Sequence, residues 1–171
     1  IVSTDMARLP GEPDDVWESV ESDIDAARVD DVQQPRNVVQ FADDGVFTES
    51  AVDVGVAATG WSWSGLFGDL DDDGLLDLYV VNGMQATSIF DMLPDGELVE
   101  ANQAFRNTGA SFELDTGWGL DSTDGGRGMA QGDVDGDGDL DIVVNNLGVA
   151  STLWENQVCG GSSLIVEPIW S

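Results

Sequence analysis

Phe67-Gly68-Asp69-Leu70-Asp71-Asp72-Asp73-Gly74-Leu75-Leu76-Asp77-Leu78-Tyr79-Val80-Val81-Asn82 is the stretch on which the reading of this chain turns. It returns 64 residues later as Gln131-Gly132-Asp133-Val134-Asp135-Gly136-Asp137-Gly138-Asp139-Leu140-Asp141-Ile142-Val143-Val144-Asn145-Asn146. Both copies set aspartates at alternate positions, turn on a glycine, close on a further aspartate and run into β-branched residues. Self-similarity at such a period is the mark of stacked copies of one supersecondary unit.

The match extends upstream. Arg36-Asn37 precedes Phe47, and Arg106-Asn107 precedes Phe112, with Phe47 lying 22 residues before Asp69 and Phe112 lying 21 before Asp133. Leu153-Trp154-Glu155-Asn156 echoes Ala104-Phe105-Arg106-Asn107 and reads as the start of a third copy. The resulting division is an acidic N-terminal extension or insertion at 1–35, a first repeat at 36–83, an inter-repeat loop at 84–103 and a second repeat at 104–146. Residues 147–171 begin a third repeat or a following domain.

Within each repeat the pattern is one of short strands. Trp61-Ser62-Trp63-Ser64 alternates cleanly, which places both indoles on one face. Leu78-Tyr79-Val80-Val81 and Ile142-Val143-Val144 are β-branched runs that suit strands buried on both faces. Val46–Ser50 is a further, weaker strand. The expected fold class is all-β, with blades of the kind found in propellers: two repeats plus the start of a third, within a larger array. Before them, Trp17, Val20, Ile24 and Ala27 share a helical face. That segment reads either as a short N-terminal helix or as a mobile acidic insertion.

Composition narrows the function. The chain carries 34 acidic and 5 basic residues, no histidine, and a net charge of −29. All five basic residues are arginine. Such a charge excludes a broad nucleic-acid surface and opposes anionic membranes. The aliphatic runs are far too short for direct membrane insertion as a helix. Self-repulsion of this size calls for bound divalent metal or a surface adapted to salt; the two are compatible, and clustering of the aspartates favours metal. Without histidine there is no Ser–His or Cys–His pair and no imidazole for zinc. Cys159 permits no internal disulfide and reads as a small residue in the turn Cys159-Gly160-Gly161, or as a free thiol or intermolecular link. The chain opens on Ile1 without a signal-peptide pattern, and a processed or partial product is expected.

Calcium takes six to eight oxygen ligands, chiefly carboxylates and carbonyls. The first loop offers Asp69, Asp71, Asp73, the carbonyl of Leu75 and Asp77; the second offers Asp133, Asp135, Asp137, the carbonyl of Asp139 and Asp141. Gly74 and Gly138 allow the sharp turn in each. Two sites, each holding one Ca2+, are expected, with the second tighter because Gly136 eases its turn further. An EF-hand would need a bidentate glutamate at the twelfth position. Val80 and Val144 stand there, inside strands, so the loop is of another kind.

These motifs, with Gly60-Trp61-Ser62-Trp63, Val80-Val81-Asn82-Gly83-Met84 and Val144-Asn145-Asn146, resemble the FG-GAP/VCBS repeat. More narrowly, the chain is similar to bacterial repeat proteins whose arrays precede an ASPIC/UnbV domain. The likeness spans roughly Arg36 to Asn156 and is most specific in the loops. It implies a calcium-stabilised propeller of four-stranded blades, extracellular, on the cell surface or periplasmic, used in adhesion or ligand binding. Residues 1–35 lack the motif, and Ser162–Glu167 would begin the ASPIC/UnbV segment.

The functional expectation is therefore a non-enzymatic interaction, adhesion or scaffold module with a protein or carbohydrate partner. Further blades, copies of itself or another subunit would cover its edges. The alternatives are an accessory structural subunit of a membrane or surface complex, and the propeller part of a carbohydrate-active hydrolase or lyase. Glu49, Glu97 and Glu113 are the carboxylates available for the last, and no catalytic residue stands out among them. Trp61, Trp63, Trp118 and Trp154 are either core or partner anchors.

Overall fold

The computed structural model describes residues Val2–Ser3, Met6–Ala7, 36–83 and 99–157. The N-terminal helix or insertion, Cys159, Glu97 and Leu164-Ile165-Val166 lie outside the described residues, as does most of the inter-repeat loop. The described residues are all-β, in three antiparallel sheets. In chain order the strands are β1 (Val2–Ser3), β2 (Met6–Ala7), β3 (Val38–Asp43), β4 (Val46–Glu49), β5 (Gly60–Gly68), β6 (Asp77–Asn82), β7 (Gln103–Asn107), β8 (Phe112–Leu114), β9 (Gly126–Gly132), β10 (Asp141–Asn146) and β11 (Thr152–Trp154). The sheets run β1-β3-β4, β2-β5-β6-β7-β8 and β11-β10-β9.

The repeated stretch builds the same hairpin twice. Gly68 pairs with Asp77 and Phe67 with Leu78 across the first Asp-rich loop; Gly132 pairs with Asp141 and Gln131 with Ile142 across the second. Each loop therefore joins the end of one strand to the start of the next, with its closing aspartate as the first residue of the return strand. Sheet membership is out of phase with the sequence unit. The Ala104–Asn107 stretch lies in β7, on β6, and the echoing Leu153-Trp154 lies in β11, on β10. Both extend the preceding hairpin by a third strand. The first sheet goes on to a fourth, β8, through Arg106↔Glu113 and Asn107↔Phe112.

β6 is buried along its whole length because a core lies on each side of it. Leu78 and Val80 pack with Val39, Val56, Phe105 and Phe112, while Tyr79 and Val81 pack with Leu70, Ala104, Ile142 and Val144. The second cluster joins the two repeats. β10 departs from the two-sided burial its sequence predicts. Ile142 and Val144 are buried, but Val143 is 38% exposed, since no described strand covers its outer face.

The alternating Trp-Ser segment is also inverted relative to a simple core reading. Ser62 is buried and Trp63 is 43% exposed. Ser62 Oγ sits 2.7 Å from Thr59 Oγ1, so its hydroxyl is satisfied inside, and the register shifts between Ser62 and Ser64. Outside, Trp63 donates its indole N–H to the Gly83 carbonyl at 2.9 Å and carries the Arg127 guanidinium 4.2 Å from its ring centroid. Trp63 and Arg127 are 64 residues apart, the equivalent positions of adjacent repeats.

The sheets approach closely at Gly126. A Cβ there would lie 2.7 Å from Val81 Cβ and 3.2 Å from Val144 Cγ1. Gly126→Ala should therefore cost about 1–3 kcal/mol by overpacking. Gly128→Ala, where a Cβ meets nothing within 4 Å, is the matched control. Thermal melting should show a clear drop for the first and little change for the second; equal melting temperatures would refute this packing.

Candidate metal centres

The two loops converge on one design, anchored by a buried carboxylate. Asp77 is fully buried, and it accepts the Leu70 N–H on Oδ2 at 2.9 Å and the Asn107 N–H on Oδ1 at 2.8 Å. Asp141 is 1% exposed and accepts the Val134 N–H on Oδ2 at 2.7 Å and the Asn156 N–H on Oδ1 at 2.9 Å. Each closing aspartate thus ties the loop's second residue to the third strand of its sheet.

The first aspartate of each loop folds the turn. Asp69 takes the N–H of Asp73 on Oδ1 and of Gly74 on Oδ2, and Asp133 takes those of Gly136 and Gly138. Gly74 and Gly138 adopt φ of +89° and +101°, the left-handed region in which a side chain is strained. The fourth loop position is left-handed in both, at Asp72 (φ +56°) and Gly136 (φ +84°). Asp bears that conformation at a cost that Gly avoids.

Asp69, Asp71 and Asp77 place carboxylate oxygens within 4.8 Å of one another, as do Asp133, Asp135 and Asp141. Of the sequence-assigned ligands, these six form the two triads. Asp73 and Asp137, equivalent to each other, accept the N–H groups of Leu75 and Asp139 at 2.8 and 3.2 Å. They brace the segment that carries the Leu75 and Asp139 carbonyls. Within the two loops, one carboxylate oxygen each is buried without a partner among the described residues: Asp71 Oδ1, on a side chain 9% exposed, and Asp139 Oδ1. A buried anionic oxygen without a donor is costly, and a cation in the loop would relieve that cost. The all-oxygen donor set suits a hard divalent ion.

Electrostatics carry the same message. Burial pushes the Asp77 carboxyl up, aided by the charges of Asp71 and Asp73 and opposed by its two backbone N–H bonds. Asp135 is raised by desolvation and by the charges of Asp137 and Asp141. Asp139 is pushed up to about 6 by desolvation first, then by sharing a hydrogen bond with Asp137 and by the charges of Asp137, Asp141 and Asp135.

Three anchors were not assigned from sequence. Asn107 and Asn156 hold the closing aspartates, and Asn156 also donates its side-chain amide to the Leu70 carbonyl at 2.9 Å. One residue beyond the second repeat therefore grips both loops, so they are not mechanically separate. Arg106 contacts Asp71 Oδ2 through Nη1, bonds Asp115 Oδ2 through Nε at 3.2 Å and lies 4.8 Å from the Trp118 ring centroid. The recurring Arg-Asn and Glu-Asn pairs were the available signal, but read along the chain they mark only a repeat boundary. No family model matches the chain, and no curated protein or solved structure is similar to it.

The raised carboxylates set a pH dependence for the metal-free protein. A group whose folded pKa lies above its unfolded value binds protons preferentially in the folded state, so its contribution favours folding at low pH and fades as pH rises. With Asp139 near 6 and an unfolded value near 3.8, the window is pH 4 to 6. Metal-free protein should melt at a higher temperature at pH 5 than at pH 7.5. A melting temperature that rises steadily with pH across this window would contradict the crowded, uncompensated carboxylates.

Proposed function

We propose that this chain is a calcium-stabilised module of β-propeller type, acting outside the cytoplasm in interaction, adhesion or scaffolding rather than catalysis. The supporting observation is the duplicated centre: two triads of aspartate oxygens at equivalent places, each closed by a buried carboxylate already bonded to two backbone N–H groups. A carboxylate so tied is a structural fixture, and it keeps an oxygen within 4.8 Å of the other two of its triad. Calcium there stiffens the hairpin turn and offsets part of a net charge of −29.

The non-catalytic reading draws on the disposition of the other acids. Glu49 pairs with Arg36 at 3.3 Å and accepts the Ala51 N–H at 2.8 Å, so it serves a turn. A cavity of about 320 Å³ between the repeats is walled by Leu70, Trp118, Leu120, Leu140 and Trp154, with Glu155 as its one carboxylate. Glycoside hydrolysis needs two facing carboxylates. Structural assembly with another subunit or further blades is the second reading. It is favoured by the exposed outer face of β10 and by β11, which has one neighbour among the described strands. The resemblance to FG-GAP/VCBS repeats belongs here as well, and carries the extracytoplasmic location with it.

Calcium that binds only the folded chain adds about 2.7 kcal/mol per site at a hundredfold excess over Kd. For a chain of this size that amounts to a rise of about 5–10 °C per site. Differential scanning calorimetry with calcium and with EDTA should show this gap, and magnesium should recover little of it. Identical melting curves in calcium and EDTA would sink the calcium reading.

A further inference from the structure

The two metal loops differ at one place where their sheets make them equivalent. Asn107 and Asn156 play the same part, each giving its backbone N–H to the closing aspartate of its loop. The residue before each is therefore also equivalent. In the first sheet it is Arg106, and in the second it is Glu155. The same position carries a cation in one sheet and an anion in the other.

Arg106 is held where it can act on the first loop. Its Nη1 contacts Oδ2 of Asp71, one of the triad carboxylates, while Asp115 accepts from Nε and Trp118 lies under the guanidinium plane. Asp71 is consequently 9% exposed, whereas Asp133 and Asp135 of the second loop are exposed. The other described arginines are engaged elsewhere. Arg36 pairs with Glu49, and Arg127 donates to the carbonyls of Gly83, Gly125 and Gly126. Among the described residues no arginine pairs with a carboxylate of the Asp133 loop.

Resting on the calcium reading above, we infer that Arg106 is a resident counter-ion that makes the two loops fill in order. The Asp133 loop takes calcium first, and the Asp69 loop, already part-neutralised, takes it more weakly. Arg106 is thus a positioning residue and an affinity determinant for the first site, and the anionic Glu155 at the equivalent place gives the second no such offset. A charge-assisted hydrogen bond that already offsets one ligand carboxylate corresponds to about tenfold or more in Kd. The device is local: a guanidinium on Asp71 Oδ2 draws charge from the carboxylate whose other oxygen, Oδ1, is left for the ion.

Isothermal titration of the full chain with calcium chloride tests it. Wild-type protein should give a tight and a weak phase, with Asp141→Asn removing the tight one and Asp77→Asn the weak one. Arg106→Gln should tighten the weak phase about tenfold, while Arg106→Lys, which keeps the charge, should tighten it far less. Glu155→Arg, on an exposed side chain at the other loop, should weaken the tight phase by a similar factor, and it keeps the test alive if Arg106→Gln fails to fold. A single wild-type phase of one ion that becomes two ions in Arg106→Gln also supports the inference. Two equal sites, or affinities unmoved by Arg106→Gln and Glu155→Arg, overturn it while leaving the calcium module standing. No calcium binding by the wild-type chain overturns both.

Discussion

Asp77 and Asp141 are the carboxylates from which the rest of this structure is hung. Each is the first residue of a central strand and is almost completely buried. Each spends both oxygens on backbone N–H groups, one from the loop before it and one from the end of the neighbouring strand or just beyond it. A buried anion is tolerated only when its lone pairs are met, so the aspartate fixes the loop, the strand start and the third strand together. Take it away and two backbone donors lose their acceptor as well. The remaining aspartates then have a rigid frame on which to converge.

Burial of β6 between two cores gives that frame its stiffness. Leu78 and Val80 face one cluster while Tyr79 and Val81 face the other, so the first metal loop is mounted on the best-packed strand among those described. Tyr79 shows how polar groups are accommodated there. Its hydroxyl donates to the Leu120 carbonyl at 2.9 Å and accepts from Asn102 at 3.1 Å, and burial pushes its pKa to about 12. The second loop stands on β10, whose outer face no described strand covers. Among the described residues, one Asp-rich loop is thus neighboured by an arginine and backed by two cores, while the other has no arginine paired with it.

Much of this was legible in the amino acids. The 64-residue repeat, the all-β class, the strands on either side of each loop and the aspartates of both triads follow from local spacing, because a hairpin loop is a local object. What spacing along the chain does not carry is which strand a segment joins. Ala104–Asn107 and Leu153–Asn156 read as repeat beginnings, yet each lies on the preceding hairpin, because antiparallel pairing rewards adjacency in space. The Trp-Ser alternation was visible too, but its inside and outside go with partners that the alternation does not show: Thr59, three residues before Ser62, and Gly83, twenty residues after Trp63.

The sequence by itself determined the charge, the repeat, the turn glycines and the oxygen donors, since each depends on residue type and short spacing. Only the tertiary structure decided how the two loops differ. Arg106 lies 35 residues from Asp71, and Asn156 lies 86 from Leu70. Contacts across such separations are made by sheet register and by the packing of one repeat on the next, and no local pattern encodes them. The equivalence of Arg106 with Glu155 is of the same kind. It becomes visible only when two backbone N–H groups are seen to meet two closing aspartates in the same way.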